Sequence, residues 1–133
     1  MFLQLAHTKL AVFSASKEFV LACYKATNKF PPEEKFAMVA QIWRAALSTH
    51  LNIAEGCSRK SFQERKRFFE ISRGSIIEVD TALDVAVDLN YCSTTDISLL
   101  GDKLIKLFKL LCGMMNSEVS KLTTDNSPLT TSI

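Results

Sequence analysis

The sequence is short of residues that turn a chain. It has four glycines and three prolines in 133 residues, which favours a few long helices over many short strands. It has only two histidines, His7 and His50. Its four cysteines, Cys23, Cys57, Cys92 and Cys112, are scattered with no C-x-x-C pair. A structural zinc site is therefore not expected, and neither is any cofactor. No uninterrupted apolar run reaches the roughly 18 residues that span a membrane. The N-terminus shows no basic region ahead of an apolar run and no cleavage pattern, so no secretory signal is expected. These absences point to a cytoplasmic protein with reduced cysteines, at least two of them packed in the core. The net charge is only +2, so an argument for nucleic-acid binding has to rest on local clustering.

What is present is apolar periodicity. Hydrophobic residues make up 47% and charged residues 23% of the chain, as in ordinary globular proteins. A chain of this length buries roughly two thirds of its unfolded surface in one domain. A first helix is expected from Thr8 to Thr27, with Leu10, Val12, Phe13, Phe19, Val20, Cys23 and Tyr24 on its apolar face. Phe30-Pro31-Pro32 stops it, and Phe30 should be extended because a proline follows. A second helix is expected from Pro32 or Glu33, where a proline loses no hydrogen bond and acids suit the helix dipole.

At 100° per residue, Phe36, Val39, Trp43, Ala46, Leu47, His50, Ile53 and Ala54 share one face of that helix. Met38, Ile42, Ala45 and Thr49 form a second flank. A helix apolar on two sides needs two partners, and the second flank is assigned to another subunit. Gly56 is expected as a left-handed C-terminal cap. The third helix opens with the capping box Ser61-Phe62-Gln63-Glu64. It carries a core stripe of Phe69, Ile76, Val79, Leu83 and Ala86, and ends near Asn90. The fourth runs from Thr95 or Asp96 to Leu122, with a near-heptad seam of Ile97, Leu100, Leu104, Phe108, Leu111, Met115, Val119 and Leu122. Residues 123–133 are polar and aperiodic, expected as a disordered tail after a bundle spanning 1–122.

Four helices with short connections imply an all-α fold, an antiparallel up-down-up-down four-helix bundle. If the second and third helices turn back around residues 57–60, Trp43 and Arg44 sit level with Gly74 and Arg73. A mid-helix glycine costs about 1 kcal/mol against alanine; close approach of Trp43 would explain Gly74.

Several short matches occur in a fixed order: Tyr24; Phe30-Pro31 with Glu34; Gln41-Ile42-x-Arg44-Ala45; Asn52-Ile53-Ala54-Glu55-Gly56; Arg67-Phe68-Phe69; Gly74-Ser75 with Glu78; and Tyr91. Over residues 8–120 the chain resembles the bacterial four-helix-bundle proteins encoded in intervening sequences of large-subunit ribosomal RNA genes. The resemblance implies an antiparallel bundle that assembles as a homopentameric ring. A related branch is similar to the accessory variability protein of retroelements, a basic pentamer that binds a reverse transcriptase and nucleic acid. Trp43 stands where the family usually has a second arginine, and His50 where it often has a proline, so this chain has one cation fewer.

The residues offer four candidate sites. Arg59, Lys60, Arg65, Lys66, Arg67 and Arg73 form the densest positive cluster, opposed only by Glu64 and Glu70; this is the nucleic-acid-binding candidate. Gln41, Arg44, Ser48, Asn52 and Glu55 form a polar line. Gln41, Arg44, Asn52, Glu55 and Gly56 are answered by Gly74, Ser75 and Glu78 as an assembly motif, with Arg44 expected to meet Glu70 and Glu55 to meet Arg59 or Arg65, or groups on another subunit. Asp80, Asp84 and Asp88 repel one another at i, i+4 spacing by a few tenths of a kcal/mol per pair and read as a solvated face. Arg44 and His50 fit the loose arginine–histidine spacing of an α-helical RNase family, in which they would stabilise and protonate groups at a scissile phosphate. They fall about 120° apart around a helix, and His50 reads as a core histidine.

The expectation is thus a non-enzymatic, homo-oligomeric scaffold or binding module. Its expected partners are itself and RNA, DNA or a nucleic-acid enzyme, with no membrane. The alternatives are a metal-independent RNase and a pure protein-interaction ring.

Overall fold

A computed structural model of the chain describes the backbone of residues 1–125 and the side chains of residues 1–117. The expected tail from residue 126 onward lies outside the described residues, as do the side chains of Val119 and Leu122. The fold is all-α: α1 (Ala11–Ala26), α2 (Met38–Ser58), α3 (Phe62–Asp88) and α4 (Ser98–Asp125), with no strand among the described residues. Short 3-10 turns cover Ala6–Lys9, Thr27–Lys29 and Pro32–Glu34. α4 runs through residues 123–125, where the tail was expected to begin.

α1 starts at Ala11 rather than Thr8 because Leu10 is extended after the first 3-10 turn. It buries Val12, Phe13, Ala15, Ser16, Phe19 and Cys23. Burial raises the Cys23 thiol pKa to about 12, as expected for a cysteine that packs rather than reacts. Phe30 is extended as the following proline requires, at φ −68 and ψ 152.

α2 departs from expectation at its start. Pro32 opens a 3-10 turn, and Ala37, at φ −117 and ψ −101, separates that turn from the α-helix. Phe36 falls in this break and is 87% exposed, not core. Leu47 is also exposed. The buried positions are Val39, Ile42, Ala45, Ala46, Thr49, Ile53 and Gly56. The flank assigned to another subunit therefore lies in the core of the same chain. There the buried Ser72 hydroxyl of α3 donates to the Thr49 carbonyl at 2.9 Å. The other side of α2 faces α1. Trp43 stacks on Tyr24 with centroids 4.6 Å apart, and its indole N–H donates to Thr27 Oγ1 at 2.8 Å. Both partners of α2 are thus in cis.

Along α2 and α3, Gln41 meets Glu78, Ser48 meets Ser75, Thr49 meets Ser72 and Gly56 meets Phe69. Positions rise on one helix as they fall on the other. This register overturns two expectations about glycine. Gly56 is no left-handed cap: α2 continues to Ser58, and no glycine has positive φ. Gly56 is needed for space, because a Cβ there would lie 2.6 Å from Phe69 Cε1 and 3.1 Å from Phe68 Cβ. Gly74, expected beneath Trp43, is exposed with nothing within 4 Å of a built Cβ.

α3 begins as the capping box requires, with Ser61 Oγ accepting from the Glu64 N–H at 3.1 Å. All five residues of the expected stripe are buried. It ends in a Schellman motif with Asn90 at φ 63, where Tyr91 N–H reaches Ala86 C=O and Asn90 N–H reaches Val87 C=O, each at 2.9 Å. In the next turn Ser93 N–H donates to Asp96 Oδ2 and Asp96 N–H to Ser93 Oγ, both at 3.0 Å. α4 buries Leu100, Leu104, Leu107 and Leu111, with Ile97, Phe108 and Met115 at the edge. Leu107 belongs to the core although the heptad seam passes it by. Each large side chain fully buried here, such as Phe19, Ile53, Phe69 and Leu107, contributes about 1.5–3 kcal/mol.

Candidate nucleic-acid interface

The turn between α2 and α3 is made by Arg59, Lys60 and Ser61, with Arg59 and Ser61 extended. It presents the basic cluster, but not as one surface. Arg65 Nη1 donates to the Lys60 carbonyl at 2.7 Å and the Arg59 carbonyl at 3.3 Å. It fastens the turn. Arg59 pairs with Glu55 at 3.3 Å, one of the contacts expected for Glu55. The Arg59 guanidinium also lies over the Phe68 ring, 4.9 Å from the centroid. Lys66 pairs with Glu70 at 3.5 Å. Arg73 lies over Phe108 of α4 at 5.2 Å, eight residues and about 12 Å along α3 from Arg65. Lys60 and Arg67 are exposed. Among the described residues their side chains have no ion-pair or hydrogen-bond partner.

The turn and the start of α3 therefore offer two open cations, Lys60 and Arg67, and an arginine–aromatic pair. The Arg59–Glu55 and Lys66–Glu70 pairs are surface pairs, worth about 0–1 kcal/mol, and release their cations at little cost. Phe68 was missed because phenylalanines at helical spacing read as core. Its signal lay in the turn, where Arg59 precedes a helix whose second turn carries adjacent Phe68 and Phe69.

Most of the polar residues expected as an assembly motif lie along the outer seam of α2 and α3. Gln41 Nε2 donates to Glu78 Oε2, and Arg44 Nη2 donates to Gln41 Oε1 at 2.8 Å. Ser75 Oγ donates to Ser48 Oγ at 3.3 Å. Asn52 Nδ2 donates to the Ser48 carbonyl at 2.8 Å and to Ser48 Oγ at 3.0 Å. Arg44 does not meet Glu70, because the true register places Glu70 nearer the turn and Lys66 holds it. Exposed Leu47, Leu51 and Ile71 belong to these same two helices.

His50 faces α1. Its Nδ1 lies 2.6 Å from Ser16 Oγ, and its ring lies 4.5 Å from that of Phe13. Burial, then the charges of Lys17 and His7, lowers its pKa below the usual histidine value. Arg44 is exposed and turned to Gln41, so the two residues of the RNase pattern are not brought together. Asp80, Asp84 and Asp88 are exposed. No group of three metal-ligating side chains occurs among the described residues, and no helix among them is long and apolar enough to cross a membrane.

The family model for 23S rRNA-intervening sequence proteins matches residues 8–113. The chain belongs to that family. Its fold is similar to that of a protein of unknown function from the S23 ribosomal protein family of Bacteroides thetaiotaomicron. The TM-score is 0.70 at 21% identity, covering 79% of this chain and 98% of the other. That likeness is one of fold alone. No curated protein matches the chain at a significant level. In this member of the family N-I-A-E-G ends against Phe69 near the turn, while G-S-x-x-E meets Ser48 and Gln41 farther along α2. The basic turn is the link between them.

Proposed function

We propose that the chain is a non-enzymatic, self-assembling helical-bundle scaffold in the cytoplasm, whose α2–α3 turn docks on nucleic acid or on an enzyme that handles it. The observation that carries this reading is the pair of exposed cations with unpartnered side chains, Lys60, which follows Arg59 in the turn, and Arg67, which precedes Phe68 on α3. Unpaired cations release counterions from a phosphate backbone at no cost in broken pairs.

An antiparallel up-down-up-down arrangement is supported by the order of paired positions. Ser16 with His50 and Tyr24 with Trp43 fall in opposite senses on α1 and α2, as do the α2 and α3 pairs. Glu18 and Lys103, 3.3 Å apart, tie α1 to α4. Self-assembly is supported by exposed Leu47, Leu51 and Ile71 flanking the polar network of the outer seam, and by the resemblance to ring-forming proteins. The absence of enzymatic activity is supported by His50, whose ring is held between Ser16 and Phe13 on a different side of α2 from Arg44.

The test is binding of RNA and DNA across a salt series, comparing the native chain with the Lys60→Glu/Arg67→Glu double variant. Arg65 and Lys66 are left intact because they hold the turn and Glu70. Sedimentation of the native chain at micromolar concentration tests self-assembly, and a monomer there contradicts it.

A further inference from the structure

A cavity of about 250 Å³ lies where the end of α1, the turn after α3 and the start of α4 meet. Ala22 and Ala26 line it from α1, and Leu99 and Leu100 from α4. The two alanines end at Cβ and leave the room. The cavity sits at the far end of α3 from the basic turn, about 40 Å away along a helix of 27 residues.

Three charged side chains also line it: Lys25, Lys29 and Asp96. Asp96 is already engaged, since its Oδ2 accepts the Ser93 N–H at 3.0 Å. That amide, then the Ser93 side chain, then the charge of Lys29 hold the Asp96 carboxyl below its ordinary value. Two lysines against one aspartate leave the lining a net charge of +1. Lys25 is the open cation. It is exposed, and its side chain has no ion-pair or hydrogen-bond partner among the described residues. The positions three and four residues from it are Leu21, Ala22, Asn28 and Lys29, so no acid is within helical reach. The other lining groups add no charge. The Tyr91 hydroxyl donates to Glu34 Oε2 at 2.7 Å, and burial pushes the Cys92 thiol up, which keeps it neutral.

An open cation beside apolar walls selects an anion that carries an apolar body. A bare inorganic anion would lose hydration against the alanines and leucines without return. A neutral apolar molecule would gain nothing from Lys25. Cavities for drug-sized ligands run upward from about 300 Å³, so this one takes a smaller molecule. We propose that the cavity binds a small apolar monocarboxylate, of the size of benzoate or a branched short-chain acid. The carboxylate pairs with Lys25, and the apolar body lies against Ala22, Ala26, Leu99 and Leu100. This site is separate from the basic turn and does not depend on nucleic-acid binding.

Benzoate is the probe, with benzamide as its neutral counterpart and inorganic phosphate as the bare anion. Titration into the full chain, followed by backbone amide NMR, should give saturable shifts at Ala22, Ala26, Cys92 and Leu99. Benzoate should bind at least tenfold tighter than either control. Lys25→Gln should weaken benzoate about tenfold, the worth of one charge-assisted hydrogen bond, and leave benzamide unchanged. Leu99→Asp, at a position 59% exposed, puts a carboxylate on the wall and should abolish benzoate binding. Circular dichroism checks that both variants keep native helicity. Absence of saturable shifts at tens of millimolar benzoate overturns the proposal, as do shifts centred elsewhere in the bundle. Benzamide or phosphate binding as tightly as benzoate overturns it, and so does an unchanged benzoate affinity in Lys25→Gln.

Discussion

Two glycines on α2 and α3 carry opposite constraints. Gly56→Ala places a methyl 2.6 Å from the ring of Phe69, which is only 2% exposed and cannot swing aside. Overpacking of this kind should destabilise the fold by about 1–3 kcal/mol. Gly74→Ala fills open space in a mid-helix position and should stabilise by about 0.5–1 kcal/mol. Urea unfolding of the two variants checks both signs. The sequence suggested a left-handed cap for Gly56 and close approach of Trp43 for Gly74; what a glycine faces depends on the neighbouring helix and its register. The observed register moves Gly74 out from beneath Trp43 and sets Phe69 against Gly56. His50 supplies a pH dependence. Its folded pKa is lowered by burial, so below pH 6.5, its ordinary value, the unfolded chain binds the proton more readily than the folded one. Stability is then unaffected by His50 above that pH and falls as the pH drops towards the lowered folded value. Urea midpoints at pH 7.5 and 5.5 should show the fall, and His50→Gln should remove much of it.

At the level of elements, α3 was legible and α2 was not, for the same reason. α3 carries a single apolar stripe, and Phe69, Ile76, Val79, Leu83 and Ala86 could point only one way. α2 is apolar on two flanks, and both fit a core face. The structure settles this by placing α1 against Trp43 and His50 and α3 against Thr49. Helix starts were legible where a side chain makes the cap, as at Ser61. They were not where backbone geometry breaks the helix, as at Ala37. Ser61→Ala should therefore cost about 1 kcal/mol, measured by thermal or urea unfolding. The basic cluster was legible as composition. Which of its members are already engaged depends on the turn: Arg65 bonds to two carbonyls that only the folded turn brings near.

On the scale of the whole molecule, one chain covers both apolar flanks of its central helix. The self-assembly we propose would thus use the outer seam and exposed Leu47, Leu51 and Ile71 rather than an unfilled core. Leu47→Glu/Leu51→Glu should leave helicity intact and shift sedimentation towards the monomer. An unchanged assembly would move the interface elsewhere. The central claim is that Lys60 and Arg67 carry nucleic-acid binding, and the salt series measures it most directly. The native chain should bind near physiological salt with log affinity falling linearly against log salt. Lys60→Glu/Arg67→Glu should weaken binding and reduce the slope on duplex DNA by about 2 per engaged subunit. No native binding near physiological salt, or the same slope in the variant, would contradict the account.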